Sequence, residues 1–261
     1  MANGNFLRTL RQFTLFTIMI MIAISSYLTR QRSTSWEEPL WVEVYPIVAD
    51  DSERTKDYIS GLNDKTFAPL EKFMVSEASR YGVEIDRPIR VDLGEPVDHL
   101  PPPPPATNNP LRIALWSLSL RWWAYRVTRN QPGPAPDIRL FLVYHDPTTR
   151  HQVLHSLGLQ KGMLGIVNVF AERSLQGNNN VVIAHEMLHT LGATDKYAME
   201  NNLPIFPDGY AEPGREPLYP QAYAEIMAGR IPLSKLEADM PRGLKQAQVG
   251  TTTAMEIRWV N

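Results

Sequence analysis

Apolar positions recur along the chain with two periods, and they divide it into elements. Trp41 to Val48 (WVEVYPIV) alternates at Val42 and Val44 and predicts a strand. Residues 52–81 follow with a helical stripe: Tyr58, Leu62, Leu70, Phe73, Met74 and Ala78, with Pro69 in an early turn of its second half and Gly82 as C-cap. Ile89 to Leu93 alternates again as a second strand. Leu111, Leu115, Leu118, Trp122 and Tyr125 step by four and three, so they predict one face of a helix over 111–127, broadened by Trp116, Leu120 and Trp123. That breadth predicts a core helix packed on a sheet, with a helix lying on a membrane surface as the sharper alternative. Ile138 to Tyr144 and Met163 to Phe170 predict two more strands. Val181 to Leu191 predicts a buried helix that starts at Asn178, Asn179 and Asn180. Strands interleaved with helices predict a mixed α/β (α+β) fold. Pro101 to Pro105 is an extended connector, because proline cannot donate to a helix or a central strand.

The start of the chain follows neither period. No charge occurs between Arg11 and Arg30, and Phe13 to Ile24 is its apolar centre. A spanning helix needs about 20 apolar residues, with a lower limit near 17. Residues 1–30 therefore predict a signal anchor that holds the membrane through 12–29. A cleaved signal peptide with Ala23-Ile24-Ser25 as its site and a buried soluble helix remain open. Either leading reading exports the rest, to the periplasm or the cell exterior, and cleavage would release it as a secreted protein. Residues 31–38 are polar and read as a tether. They are too few for an inhibitory prosegment. Residues 39–261 are expected to form one domain.

Charge and composition remove several function classes. Residues 1–35 hold Arg8, Arg11, Arg30 and Arg32 and no acid, which leaves the remainder at −6 within an overall −2. An acidic remainder argues against general nucleic-acid binding. With no cysteine, disulfides, thiolate metal sites and a cysteine nucleophile are excluded.

The chemistry concentrates in one helix. His185 and His189 stand at i and i+4, so both imidazoles leave the same face and can grip one Zn²⁺. Glu186 follows the first histidine and can reach a metal-bound water without ligating. A catalytic zinc takes a third protein ligand. Gly192 suits a sharp stop after the helix, which would let Asp195 turn back, with Glu200 and Asp208 as nearby alternatives. His151 and His155 are also at i and i+4 but lack an adjacent glutamate. With His145 they read as surface or structural residues.

The run His185-Glu186-x-x-His189-x-x-Gly192-x-x-Asp195 resembles the metzincin clan of zinc peptidases, in the aspartate form found among snapalysin-like members. Tyr197, two residues after Asp195, is again similar to that branch, and Met227 in Ala224–Gly229 resembles the clan's methionine turn. The resemblance covers roughly 138–230. It implies a twisted sheet, an active-site helix, a mainly irregular C-terminal subdomain and one catalytic zinc. His185, His189 and Asp195 would be its ligands, and Glu186 the general base for water attack on a peptide carbonyl. It also implies that the strand before the helix, Met163 to Phe170, rims the cleft and pairs with an extended peptide. Tyr197, Tyr210 and Tyr223 are candidates for substrate or transition-state contact, since Gly229 occupies the position where some members carry a tyrosine. The expected activity is a zinc endopeptidase acting on a peptide or protein. The alternatives are a non-proteolytic zinc amidase on a cell-wall peptide and a membrane-anchored binding module.

Overall fold

The computed structural model describes residues 33–150, 156–160 and 162–260, together with residues 8, 10–14, 16–17, 19–21 and 24. Its centre is a five-stranded twisted sheet in a mixed α/β arrangement. The strands are β1 (Leu40–Val48), β2 (Ile89–Leu93), β3 (Ile138–His145), β4 (Leu157–Leu159) and β5 (Leu164–Phe170), in the spatial order β2-β1-β3-β5-β4. All neighbours pair in parallel except β4, which runs antiparallel to β5 at the edge. Parallel strands joined by crossovers are covered on both faces, so β1, β3 and β5 are near-continuous apolar runs.

The two faces separate by strand parity. Val42, Val44, Leu140, Leu142, Val167 and Val169 enter the larger core. There they meet α1 (Glu53–Ser60), α2 (Asp64–Arg80) and α4 (Gln176–Leu191). Tyr45, Ile47, Phe141, Val143, Leu164 and Ile166 face the smaller core under α3 (Pro110–Thr128). The helical stripe over 52–81 is two helices. Asn63 breaks it, because its side chain accepts from Lys65 N while Thr66 returns a bond to Asn63 N, a capping box that restarts the helix. Gly82 follows α2 in the left-handed region, at φ 72°.

Three other expectations need correction. The packed face of α3 is not the Leu111–Leu115–Leu118–Trp122–Tyr125 stripe, which is exposed. Leu120 and Ala124 are buried on the sheet with Trp116, Trp123 and Val127 beside them. A helix apolar on nearly every side offers no periodic clue to which side meets the sheet. The three asparagines do not precede α4 but lie in its first turns. The Asn179 amide donates to the Phe170 carbonyl and accepts from Phe170 N, which straps the helix to the end of β5. Finally, β5 is an interior strand. The edge belongs to β4, too short to show a period.

The expected N-terminal membrane helix lies largely outside the described residues, and so does the His151–His155 pair. Among the described residues no helix is long and apolar enough to cross a membrane. The chain after α4 is mainly irregular, as expected. It is held by the short pairs β6 (Ala224–Glu225) with β9 (Ala247–Gln248) and β7 (Ile231–Pro232) with β8 (Ala238–Asp239), and by α5 (Thr251–Glu256). Trp36 donates from Nε1 to the Ile257 carbonyl and packs edge-on against Trp259, closing the two ends of the described domain on each other.

Candidate metal centre

Helix α4 carries His185, Glu186 and His189 and stops at Gly192. This glycine is left-handed, at φ 109°, a conformation that costs a side-chain-bearing residue energy. Gly192 N and Ala193 N donate back to the carbonyls of His189 and Leu188. The reversal has a second product: the Ala193 carbonyl accepts a 2.8 Å bond from His189 Nδ1. His185 Nδ1 likewise donates to the Ile226 carbonyl at 3.0 Å. Both rings are thus fixed in one tautomer and orientation by backbone oxygens, as metal-ligating histidines commonly are.

The consequence appears at the other nitrogens. With the proton on Nδ1, a neutral ring carries a lone pair on Nε2. The two Nε2 atoms stand 3.0 Å apart. Each lies 3.1 Å from Asp195 Oδ1. With both rings neutral, three acceptor atoms converge with no donor among them, so these contacts are held either by a proton on Nε2 or by a cation between the atoms. A tetrahedral ion with bonds of about 2.0–2.1 Å spaces its ligands roughly 3.3 Å apart, a few tenths of an ångström from what is seen. His185, His189 and Asp195 form a group able to hold a metal ion, so the donor set fits one.

Charge follows the same logic. Although burial works against ionisation, the two histidines hold the Asp195 carboxyl well below the usual carboxylate range. Burial also disfavours a proton on His189, but Asp195, the Ala193 carbonyl and Glu186 together push its pKa up. Glu186 is buried between α4 and β4. Burial raises its pKa, against the pull of both histidines. Its Oε2 is buried on the Gly158 side and has no hydrogen-bond partner among the described residues. Gly158 of β4 makes this packing possible. A Cβ there would lie 2.5 Å from both the Glu186 carbonyl and His189 Cβ.

Met227 is fully buried in the turn after β6. The preceding carbonyl, of Ile226, holds His185, and its own accepts from Lys196 N beside Asp195. The turn is built on Glu225, a buried carboxylate that accepts from Met227 N, Ala228 N, Gly250 N and Thr253 Oγ1. Burial raises the Glu225 pKa against those bonds. Lys196 is buried as well. Its Nζ donates to both carboxylate oxygens of Glu256 and to Thr194, pinning the segment that carries Asp195.

The three tyrosines separate. Tyr197 lies by the centre, its ring 6.3 Å from that of His185, and burial raises its pKa with Asp195 and Glu186 adding to the effect. Tyr210 is buried with its hydroxyl 2.7 Å from that of Tyr219. Tyr223 is half-buried and makes no hydrogen bond or ring contact with the three donors among the described residues. Of the alternative ligands, Asp208 accepts instead from Thr252 Oγ1, and Glu200 is exposed outside the group. His145 is buried in β3 against Asn168. Sequence reasoning missed Glu225, Lys196 and Glu256, which hold the centre from outside it. Two acids and a lysine without fixed spacing leave no local signal. No protein-family model matches this chain, and no curated protein matches it in sequence.

Proposed function

We propose that the chain is a metal-dependent peptidase of the metzincin kind, with zinc as its ion. The observation that carries the reading is the triangle of three acceptors, His185 Nε2, His189 Nε2 and Asp195 Oδ1, with the unpartnered Glu186 carboxylate beside it. These three side chains would hold the ion. A set of two imidazoles and one carboxylate suits zinc. The bound ion supplies a Lewis acid and an acidified water.

The remaining work falls to residues of the chain. Glu186 Oε2 is placed to take a proton from a water entering the cleft and later to deliver it to the leaving nitrogen, and its raised pKa helps it carry that proton between the two. Strand β4 has no further strand beyond it among the described residues, so its free edge offers backbone groups to an extended peptide. Its contact with α4 at Gly158 would set such a peptide alongside Glu186. Tyr197 stands beside His185, with ring centroids 6.3 Å apart. It is the tyrosine best placed to donate to a developing oxyanion.

The test measures bound metal and peptide hydrolysis on the full chain and two variants. Wild type should carry about one zinc per chain and lose hydrolysis to a chelator. Asp195→Ala should lose the metal. Glu186→Gln should keep it while turnover falls about 10²- to 10⁴-fold. A folded, zinc-supplied protein that binds no metal would overturn the reading. Full activity in Glu186→Gln would remove the proposed base.

A further inference from the structure

The most apolar exposed surface of the domain is the outer side of α3. Leu111, Leu115, Leu118, Trp122 and Tyr125 are each more than half exposed, along a helix that packs on the sheet by its opposite side. A continuous apolar helix face left in water marks a contact surface. Three features of this face indicate its occupant. Its residue types are aliphatic at the N-terminal half, with a tryptophan and a tyrosine toward the other end, whose tilted rings lie 5.7 Å apart. Such rings favour the boundary between hydrocarbon and headgroups. Its charge is of one sign: the chain has no acidic residue between Asp98 and Asp137, and α3 with its C-cap carries Arg112, Arg121, Arg126 and Arg129. In a protein of net charge −2 this is a local cationic strip. Its position is the third. Asp137 N donates to the Trp41 carbonyl and Gly133 lies against the Trp41 ring, which brings the end of α3 to the start of β1. There the chain arrives from the uncharged stretch 12–29.

We propose that this face of α3 is a membrane-docking surface that lies in the headgroup region of an anionic bilayer. Leu111, Leu115 and Leu118 enter the acyl boundary, Trp122 and Tyr125 sit at headgroup level, and the exposed Arg112, Arg126 and Arg129 meet lipid phosphates. The inference is independent of the metal centre, which lies across the sheet. It requires no spanning helix, and docked this way the domain rests on the bilayer by the face opposite α4.

The chain has no cysteine, so a single cysteine introduced at Leu118 carries a nitroxide label at one known place. A second labelled protein, Ser60→Cys, places the probe on α1 across the sheet. Each full-length protein is mixed with phosphatidylcholine vesicles, with and without phosphatidylglycerol. Collision with oxygen, which enters lipid, is compared with collision with a nickel chelate, which stays in water. With phosphatidylglycerol present, the oxygen-to-nickel ratio at 118 should rise several-fold above that at 60. It should fall back when Arg112, Arg126 and Arg129 are replaced by glutamine. Equal nickel access at both labels overturns docking. Shielding of 118 from both reagents means that protein covers the face, and label–label broadening that fades on dilution with unlabelled chain means a second copy does. Either result overturns the proposal. A ratio unchanged in the arginine variant overturns the part assigned to charge.

Discussion

Gly192 shows how much of the centre rests on a single backbone angle. Its left-handed φ ends α4 and sends the chain back so that the Ala193 carbonyl meets His189. Gly192→Ala should cost about 1–2 kcal/mol from conformation alone, with further loss because a Cβ would crowd the Gln160 side chain. A denaturant melt checks the stability, and zinc titration should show weaker binding in the same variant. Asp146, at the other end of β3, makes a separate prediction about acid. Hydrogen bonds from Ser52 and Thr148 lower its pKa from 3.8 to about 2. A depressed carboxyl pKa adds stability that is full above the unfolded value and is lost as pH falls through the folded one. Between pH 4 and 2 the wild type should therefore lose stability faster than Asp146→Asn, in thermal melts at stepped pH. Residues such as His185, Glu186 and His189 were legible in the sequence because a helix fixes their mutual geometry. Asp146 and Glu225 were not, since Ser52, Gly250 and Thr253, which complete their hydrogen bonds, lie far away in sequence.

Elements divide along the same line. The strands β1, β2, β3 and β5 and the site helix announce themselves by period and run length. Strand β4 does not, because a strand of three residues (Leu157–Leu159) has no period to read. It is nevertheless the strand that touches Glu186 and His189. The reading of α3 failed for the opposite reason: with apolar residues on most sides, the longest regular stripe marked the outward face. The turn at Met227 is an element made by one buried acid. Glu225→Gln keeps the side-chain shape but replaces an acceptor for several donors by a mixed group. It should cost about 1.5–3 kcal/mol, the worth of a hydrogen bond to a charged group. Because Ile226 holds His185, the loss should appear in calorimetry and as faster release of zinc to a chelator.

At the scale of the whole molecule, the centre depends on chain far from it. Lys196 is buried beside Asp195, and its carboxylate partner, Glu256, comes from α5. Lys196 is buried while Glu256 is 24% exposed, so removing the acid leaves a buried ammonium without compensation. Glu256→Gln should then destabilise by about 3 kcal/mol and weaken zinc retention although residue 256 touches no ligand. Paired melts with and without zinc would show both effects. None of this was legible from the sequence, where Lys196 and Glu256 are sixty positions apart with no pattern to join them. The contact also orders events in time. A ribosome releases residues 185–195 well before 250–257, so the histidines travel at first as an unsupported helix. Only when Gly250 and Thr253 close on Glu225, and Glu256 reaches Lys196, are the Met227 turn and the segment carrying Asp195 fixed in place. The proposed hydrolase would stay silent until residues 250–257 have folded onto it.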